Sequence, residues 1–140
     1  MANEHPSNRV ELVEVGPRDG LQMESTVLPT ADKVELIRRL INAGSKRIEV
    51  ASFVNPQRVP QMADAEAVLA AVPKRAGVTR VGLVLNKRGL ERAVAAGCDE
   101  IGLVAVATNS FGLKNQGADI KQSIATCREL VLMAKTAGIS

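Results

Sequence analysis

The sequence signal that most constrains this chain is an Ala-Gly pair followed closely by an apolar stretch. It occurs at Ala43-Gly44, Ala96-Gly97 and Ala137-Gly138, each time at the end of a segment in which apolar residues have helical spacing. Glycine supplies the left-handed residue that commonly ends a helix. A strand that starts directly afterwards is typical of successive parallel βα units. The repeat therefore predicts an α/β fold with a parallel sheet.

Four βα units can be traced in the sequence. Strands are predicted at 10–15, 47–51, 79–85 and 100–106, and helices at about 30–43, 60–72, 89–96 and 119–137. The strands are apolar on both sides of the pleat, as in sheets that helices cover on their faces. We expect residues 1–9 to be an N-terminal tail and residues 10–140 to form the domain.

Two architectures accommodate these units, an open doubly wound sheet and part of a (β/α)8 barrel. No GxGxxG or Walker loop follows the first strand, which removes the usual phosphate-binding reason for an open sheet. A complete barrel needs about 250 residues, so 140 residues correspond to about half of one. The sequence therefore predicts a parallel TIM-barrel type of fold, of which this chain covers about the first four βα units, curved as half a barrel.

The composition excludes several classes of function. The chain has no Trp or Tyr and two Phe, which excludes stacking of nucleic-acid bases as a main activity. Its net charge of +3 comes from scattered basic residues, whereas nucleic-acid-binding proteins concentrate their charge. No apolar run approaches the roughly 20 residues of a membrane span, and the N-terminus has no signal region. We expect a cytoplasmic protein without nucleic-acid or membrane partners.

The cysteine and histidine residues give no metal or disulfide pattern. Cys98 and Cys127 are far apart, without a CxxC motif or a nearby His, so we expect reduced thiols that serve in packing. His5 is the one histidine of the chain. We expect it to be a solvent-exposed residue of the tail.

The chemically richest segment is Gly-Pro-Arg-Asp-Gly-Leu-Gln at residues 16–22, after the first strand. Residues at the C-terminal ends of barrel strands line the active-site mouth, and an Arg beside an Asp there suits an anion next to a hard divalent cation. Alternation in the strands turns Glu49 and Glu14 towards the barrel interior. Interior carboxylates need a partner, so we expect Arg18 to lie within hydrogen-bonding reach of one of them. A surface turn with a structural ion pair is the alternative.

Three segments resemble hydroxymethylglutaryl-CoA lyases, a family of (β/α)8 metallolyases. They are residues 13–22, 48–54 and 59–64, within a resemblance that runs from about residue 10 to residue 140. Claisen-type synthases of the same barrel group also carry Arg-Asp-Gly, but usually with Leu before the Arg and Glu-Gln after the Gly. The resemblance implies divalent-metal-dependent cleavage of a 3-hydroxy-3-methylglutaryl-CoA-like thioester to acetyl-CoA and a keto acid such as acetoacetate.

The resemblance also implies roles for individual residues. Asp19 matches the aspartate that ligates Mg2+ or Mn2+. Arg18 matches the catalytic arginine that stabilises the enolate oxygen of the departing acetyl-CoA, and Glu49 matches the glutamate that supports this arginine. The positions near the acyl-CoA substrate are matched by Arg18, Gln22, Ser52 and Asn86.

The chain also departs from the family pattern. Met23 stands where Asn is usual, and residues 104–110 differ from the family's Ala-Ala-Ser-Glu-like stretch, so the exact acyl-CoA stays open. The family's His-x-His metal ligands, a further Asn and the catalytic Cys lie in its second half. The resemblance therefore implies an incomplete site, and a chain that forms homo-oligomers or associates with a missing second half. A Claisen-type acyl-CoA synthase and a non-catalytic truncated fragment are the alternatives.

Overall fold

In a computed structural model of the chain, the described residues are 10–140, and they form a parallel sheet covered by helices. The predicted tail at residues 1–9, with His5, lies outside the described residues. The strands are β1 (Val13–Glu14), β2 (Arg47–Ser52), β3 (Thr79–Val84) and β4 (Glu100–Leu103). The helices are α1 (Thr30–Asn42), α2 (Ala65–Ala71), α3 (Lys87–Ala95), α4 (Asn109–Asn115) and α5 (Ile120–Thr136). The spatial order β1-β2-β3-β4 follows the chain order, and every pairing is parallel.

The predicted helix ends are confirmed. Gly44, Gly97 and Gly138 have φ angles of 105°, 76° and 71° and follow the last turns of α1, α3 and α5. At the other end of α5, Asp119 forms a capping box with Gln122, which satisfies two backbone N–H groups that the helix leaves unpaired. Thr30 is a residue type that often caps a helix, but here it is the first residue of α1 and its hydroxyl donates to Asp64.

Two strands are at least three residues shorter than predicted, and one helix was not predicted. The second helix begins at Ala65 rather than at about residue 60, because residues 60–62 form a separate 3-10 turn. β1 covers two residues rather than 10–15, and β4 ends at Leu103 rather than at residue 106. Within the described residues β1 pairs only with β2, and Leu12 is 85% exposed. The apolar residues that suggested a longer strand therefore have few packing partners. The short helix α4 follows β4, and Thr108 caps it by accepting from the N–H of Phe111.

The core lies between the helices and one face of the sheet. It contains side chains from β2, β3 and four helices, among them Ile37, Ile48, Phe53, Leu69, Val84, Leu90 and Leu130. Cys98 belongs to this core, and burial raises the pKa of its thiol to about 12, in agreement with the packing role that we expected. No helix in the described part of the chain is long and apolar enough to cross a membrane.

Candidate active site

A tight turn at the end of β1 positions Arg18. The backbone N–H groups of Arg18, Asp19 and Gly20 all point to the carbonyl oxygen of Val15, at N···O distances of 3.1, 2.7 and 3.4 Å. Pro17 lies buried in this turn and fixes one of its backbone angles. The turn places the Arg18 side chain beside β2, where it reaches Glu49.

Arg18 lies between two carboxylates. Its Nε and Nη2 atoms are 2.7 and 2.6 Å from Oε2 of Glu49, and its Nη1 atom is 2.9 Å from Oδ1 of Asp19. The side chains of Arg18 and Glu49 are 15% and 10% exposed, whereas that of Asp19 is 57% exposed. The Arg18–Glu49 ion pair is therefore shielded from solvent, whereas the Asp19 carboxylate is open to it. The prediction that Arg18 pairs with an interior carboxylate is confirmed.

Glu49 lies on the face of the sheet opposite the helices, as predicted. Its strand neighbour in β3 is Val81, and a Cβ placed on Gly102 of β4 would lie 3.2 Å from Glu49 Oε1. The small residue in β4 thus leaves room for this carboxylate. A register shift between Glu49 and Ala51 follows directly, so the alternation that predicts the direction of Glu49 does not extend to Ser52.

The prediction that Glu14 also points inward is wrong. Glu14 pairs with Ile48, whose side chain belongs to the core beneath the helices, and paired residues of parallel strands share a face. Glu14 Oε1 accepts a hydrogen bond of 2.7 Å from the N–H of Gly16. Its carboxylate therefore stabilises the turn, and of the two carboxylates predicted to face inward only Glu49 pairs with Arg18 within the described residues.

Gln22 and Ser52 each bury an oxygen atom without a hydrogen-bond partner among the described residues. The atoms are Oε1 of Gln22 and Oγ of Ser52, and Ser52 is fully buried. An unsatisfied buried polar atom costs roughly 1–3 kcal/mol, so such atoms are uncommon unless a ligand or water completes them. Both residues come from loops or strand ends at the same edge of the sheet as Arg18.

Asn86 has a different local role. It precedes α3, is exposed, and its Oδ1 atom accepts a hydrogen bond of 2.9 Å from the N–H of Gly89. It also lines a cavity of about 630 Å3 together with Phe53, Gln57 and Lys87. No hydrogen bond within residues 10–140 joins Asn86 to Arg18, Asp19 or Glu49.

The described residues do not form a metal site on their own. Among residues 10–140, no three His, Cys, Asp or Glu side chains cluster in a way that could hold an ion. Asp19 is open to solvent on one side and offers one carboxylate oxygen that is not engaged by Arg18. This residue can supply one oxygen ligand, whereas Mg2+ requires near-octahedral coordination.

A second ion-pair cluster on the interior face was not predicted. Arg47 contacts Glu11 at 3.1 Å and also pairs with Glu100, and hydrogen bonding to Glu100 raises the pKa of Arg47 above its ordinary value. Arg47 is two residues before Glu49, so the same alternation could have found it. The cluster lies at the opposite ends of the strands from Arg18, and its ion pairs do not include Arg18, Asp19 or Glu49.

The comparisons with known proteins agree with this architecture. The family model described as HMGL-like matches residues 9–140. A mitochondrial hydroxymethylglutaryl-CoA lyase of Arabidopsis thaliana is 44% identical over 126 residues, covering 90% of this chain and 27% of the relative. A cytoplasmic 3-hydroxy-3-methylglutaryl-CoA lyase of Rattus norvegicus is 43% identical over 126 residues, covering 90% of this chain and 37% of the relative.

Two solved structures extend the comparison to the fold. The HMG-CoA lyase from Brucella melitensis superposes with a TM-score of 0.90 at 42% identity, covering 94% of this chain and 46% of that one. An HMG-CoA lyase from Acinetobacter baumannii, solved with coenzyme A and 3-methylmalate, superposes with a TM-score of 0.85 at 38% identity, covering 90% and 41%. The predicted fold, the first four βα units of a TIM barrel, is confirmed. This chain spans less than half the length of each of these four proteins.

Proposed function

Since the chain belongs to the HMGL-like family, we propose that residues 10–140 are the N-terminal half of a divalent-metal-dependent carbon–carbon lyase. The proposed substrate is a 3-hydroxy-3-methylglutaryl-CoA-like thioester, cleaved to acetyl-CoA and a keto acid such as acetoacetate. The names of the relatives support this substrate class, and the coenzyme A complex of a similar protein supports an acyl-CoA partner. None of the four similar proteins is a synthase, so we favour cleavage over Claisen-type condensation.

The observation that carries the proposal is the placement of Arg18 between Glu49 and Asp19. Cleavage of the carbon–carbon bond starts with removal of the proton from the C3 hydroxyl and leaves negative charge on the thioester oxygen of the acetyl unit. A guanidinium that Glu49 already holds in place can stabilise this charge without reorganisation. Because the charge develops only in the transition state, such an interaction raises the rate more than it raises affinity.

The substrate-binding roles of Gln22, Ser52 and Asn86 belong to the same proposal. The unpaired buried oxygen atoms of Gln22 and Ser52 support it, because a bound substrate would supply their missing partners. Asn86 accepts the N–H of Gly89 with Oδ1 and so caps α3, which leaves its amide nitrogen to donate to a substrate.

We propose Asp19 as a ligand for Mg2+ or Mn2+, since a carboxylate oxygen suits a hard cation. The remaining ligands would come from outside the described residues. A second half of the barrel, or another copy of the chain, is therefore the proposed protein partner. A cytoplasmic location stays a prediction, because the rat relative is named cytoplasmic and the Arabidopsis relative mitochondrial.

The first experiment measures release of acetyl-CoA from 3-hydroxy-3-methylglutaryl-CoA. We expect no turnover and no calorimetric binding of Mn2+ by the 140-residue chain alone. We expect turnover after co-expression with a polypeptide that supplies βα units five to eight of a lyase relative. Robust cleavage by the chain alone would refute the proposed incomplete site. Condensation of acetyl-CoA with a keto acid, without cleavage, would instead favour the synthase.

The second experiment replaces Arg18 with Gln in the complemented protein. We expect kcat to fall by about 100-fold or more, the loss typical of removing one donor from a site that stabilises an oxyanion, while KM changes far less. Arg58→Gln is the matched control, because Arg58 is exposed and forms no ion pair within the described residues. An unchanged kcat with a raised KM would show that Arg18 binds substrate and does not stabilise the transition state.

A further inference from the structure

Lys33 is a buried lysine that the proposed chemistry does not use. It lies on α1 and is 4% exposed. Its Nζ atom donates to Oδ1 of Asp64 and to the backbone carbonyl oxygen of Gln61, at 2.6 Å each, and Thr30 donates to the other carboxylate oxygen of Asp64 at 2.6 Å. Burying an ammonium group costs several kcal/mol unless its partners have good geometry. The cluster therefore fixes the segment 60–64 against the first turn of α1.

The charge state of this cluster is set by the same contacts. Burial disfavours the carboxylate of Asp64, but hydrogen bonds from Lys33 and Thr30 outweigh the burial and hold the pKa of Asp64 below its ordinary value. At neutral pH the carboxylate is thus ionised and the pair is intact.

Gln61 continues this connection to the loop after β1. Its Nε2 atom donates to the carbonyl oxygen of Glu24 at 2.7 Å, and the N–H of Glu24 donates to the carbonyl oxygen of Leu21 at 3.2 Å. Gln22 lies inside this turn. Within the described residues, the bond from Gln61 is the one side-chain hydrogen bond that reaches residues 21–28, and most of that segment is exposed.

We propose that Lys33, Asp64 and Gln61 form a latch that positions the loop after β1, and with it Gln22, against the end of β2. In this latch Gln61 is a positioning residue, since within the described residues it forms no hydrogen bond with Arg18, Glu49 or Ser52. Lys33 and Asp64 hold the backbone of Gln61, and the Gln61 side chain holds Glu24. The catalytic role of the latch rests on the proposed function, in which Gln22 contacts substrate. The hydrogen bonds that form the latch are independent of that function.

The structural part is tested on the 140-residue chain by hydrogen–deuterium exchange. In Gln61→Ala we expect the amides of residues 21–26 to exchange about fivefold faster, the effect of losing one ordinary hydrogen bond, while the urea midpoint and exchange elsewhere stay unchanged. Gln57→Ala is the matched control, because Gln57 is an exposed glutamine of the same loop whose side chain donates no hydrogen bond within residues 10–140. Equal exchange in both variants, or faster exchange across the whole chain, would overturn the latch.

The catalytic part is tested with the complemented lyase. In Gln61→Ala the loop after β1 should shift by a fraction of an ångström, which should lower kcat by about tenfold with little change in KM. Among variants of the buried lysine, Lys33→Arg should retain more activity than Lys33→Met. Faster loop exchange with an unchanged kcat would overturn the positioning role. If the unsubstituted lyase is inactive, the proposed function fails, whereas the exchange experiment still decides whether the latch exists.

Discussion

Gly82 shows how much one residue of this sheet depends on having no side chain. It lies in the middle of β3, and a Cβ at this position would lie 2.7 Å from a ring carbon of Phe53 and 2.8 Å from Sγ of Cys98. Both neighbours are themselves buried in the core. The sequence Val-Gly-Leu-Val gives no sign of this contact, because the crowding comes from residues far away along the chain.

Replacing Gly82 with Ala should therefore lower the free energy of unfolding. We expect a loss of about 1–3 kcal/mol, as for other overpacked cores, measured as a shift of the urea midpoint without a change of slope. Gly20→Ala is the control, because a Cβ at Gly20 would meet nothing within 4 Å. A Gly82 variant as stable as the Gly20 variant would mean that Phe53 can move aside without cost.

At the same scale, alternation along a strand predicts a site residue only where the strand is regular. Glu49 lies in a regular part of β2 and points as predicted. Glu14 ends a strand of two residues, next to a tight turn, and its register with Ile48 places it on the other face. Buried oxygen atoms without partners, as in Gln22 and Ser52, depend on three-dimensional packing and cannot be predicted from spacing.

At the scale of elements, a buried arginine joins two helices to the sheet. Arg80 of β3 donates to both carboxylate oxygens of Asp99, to the carbonyl oxygens of Leu69 and Val72 at the end of α2, and to that of Gly97 after α3. It thus satisfies carbonyl groups that a helix leaves unpaired at its C-terminal end. Hydrogen bonds from Arg80 outweigh burial and hold the pKa of Asp99 below its ordinary value.

This pKa shift predicts how stability depends on pH. A carboxyl whose pKa is lower in the folded state than in the unfolded state contributes stability above its unfolded pKa of about 3.9, and this contribution is lost as the pH falls through the folded pKa. Asp99→Asn should therefore lower stability at pH 7 by about 2 kcal/mol, less than the ~3–5 kcal/mol of a fully buried pair, because Asp99 is 26% exposed.

The measurement is a series of urea midpoints between pH 7 and pH 3. As the pH falls below about 4, the difference between the midpoints of Asp99→Asn and of the unsubstituted chain should shrink progressively. Asp32→Asn is the control, because Asp32 is exposed and forms no ion pair within the described residues. A constant difference between Asp99→Asn and the unsubstituted chain across the whole pH range would refute the link between this pair and acid stability.

The C-terminal ends of α1, α3 and α5 were the features best predicted from sequence, because their signals are local, whereas the start of α2 was predicted about five residues too early. The glycines after α1, α3 and α5 and the acidic cap of α5 act within one turn of the helix. The ends of β1 and β4 could not be predicted, since a strand ends where its neighbour ends. The helix α4 has its own local signal in Thr108, but residues 104–106 are apolar and favoured a longer strand instead.

At the scale of the whole molecule, the order of the four strands follows from the repeat of βα units. What lies beside the two outer strands, β1 and β4, cannot be predicted from that repeat. Beside β1, Val10 and Leu12 are 89% and 85% exposed. Beside β4, the N–H of Ile101 donates to the carbonyl oxygen of Ser140 at 2.8 Å, so the residue after the last helix starts to pair with this edge. The adjoining face of α5 exposes Ile124, Val131 and Leu132.

We therefore expect the 140-residue chain to self-associate in solution. Strand edges that have no strand partner within residues 10–140 can bind other strands, and an exposed apolar face beside such an edge adds a hydrophobic driving force of roughly 25 cal/mol for each Å2 that association buries. Sedimentation velocity between about 5 and 200 μM should show a rise of the weight-average mass with concentration.

Three variants test which surface associates. Leu132→Lys should weaken the association through α5, and Leu12→Lys should weaken it through β1. Leu113→Lys, which changes an exposed leucine on α4, should leave the association intact. Different effects of Leu132→Lys and Leu12→Lys would identify the edge that dominates. A monomer at all concentrations would mean that both edges are shielded in solution, and the expectation would be wrong.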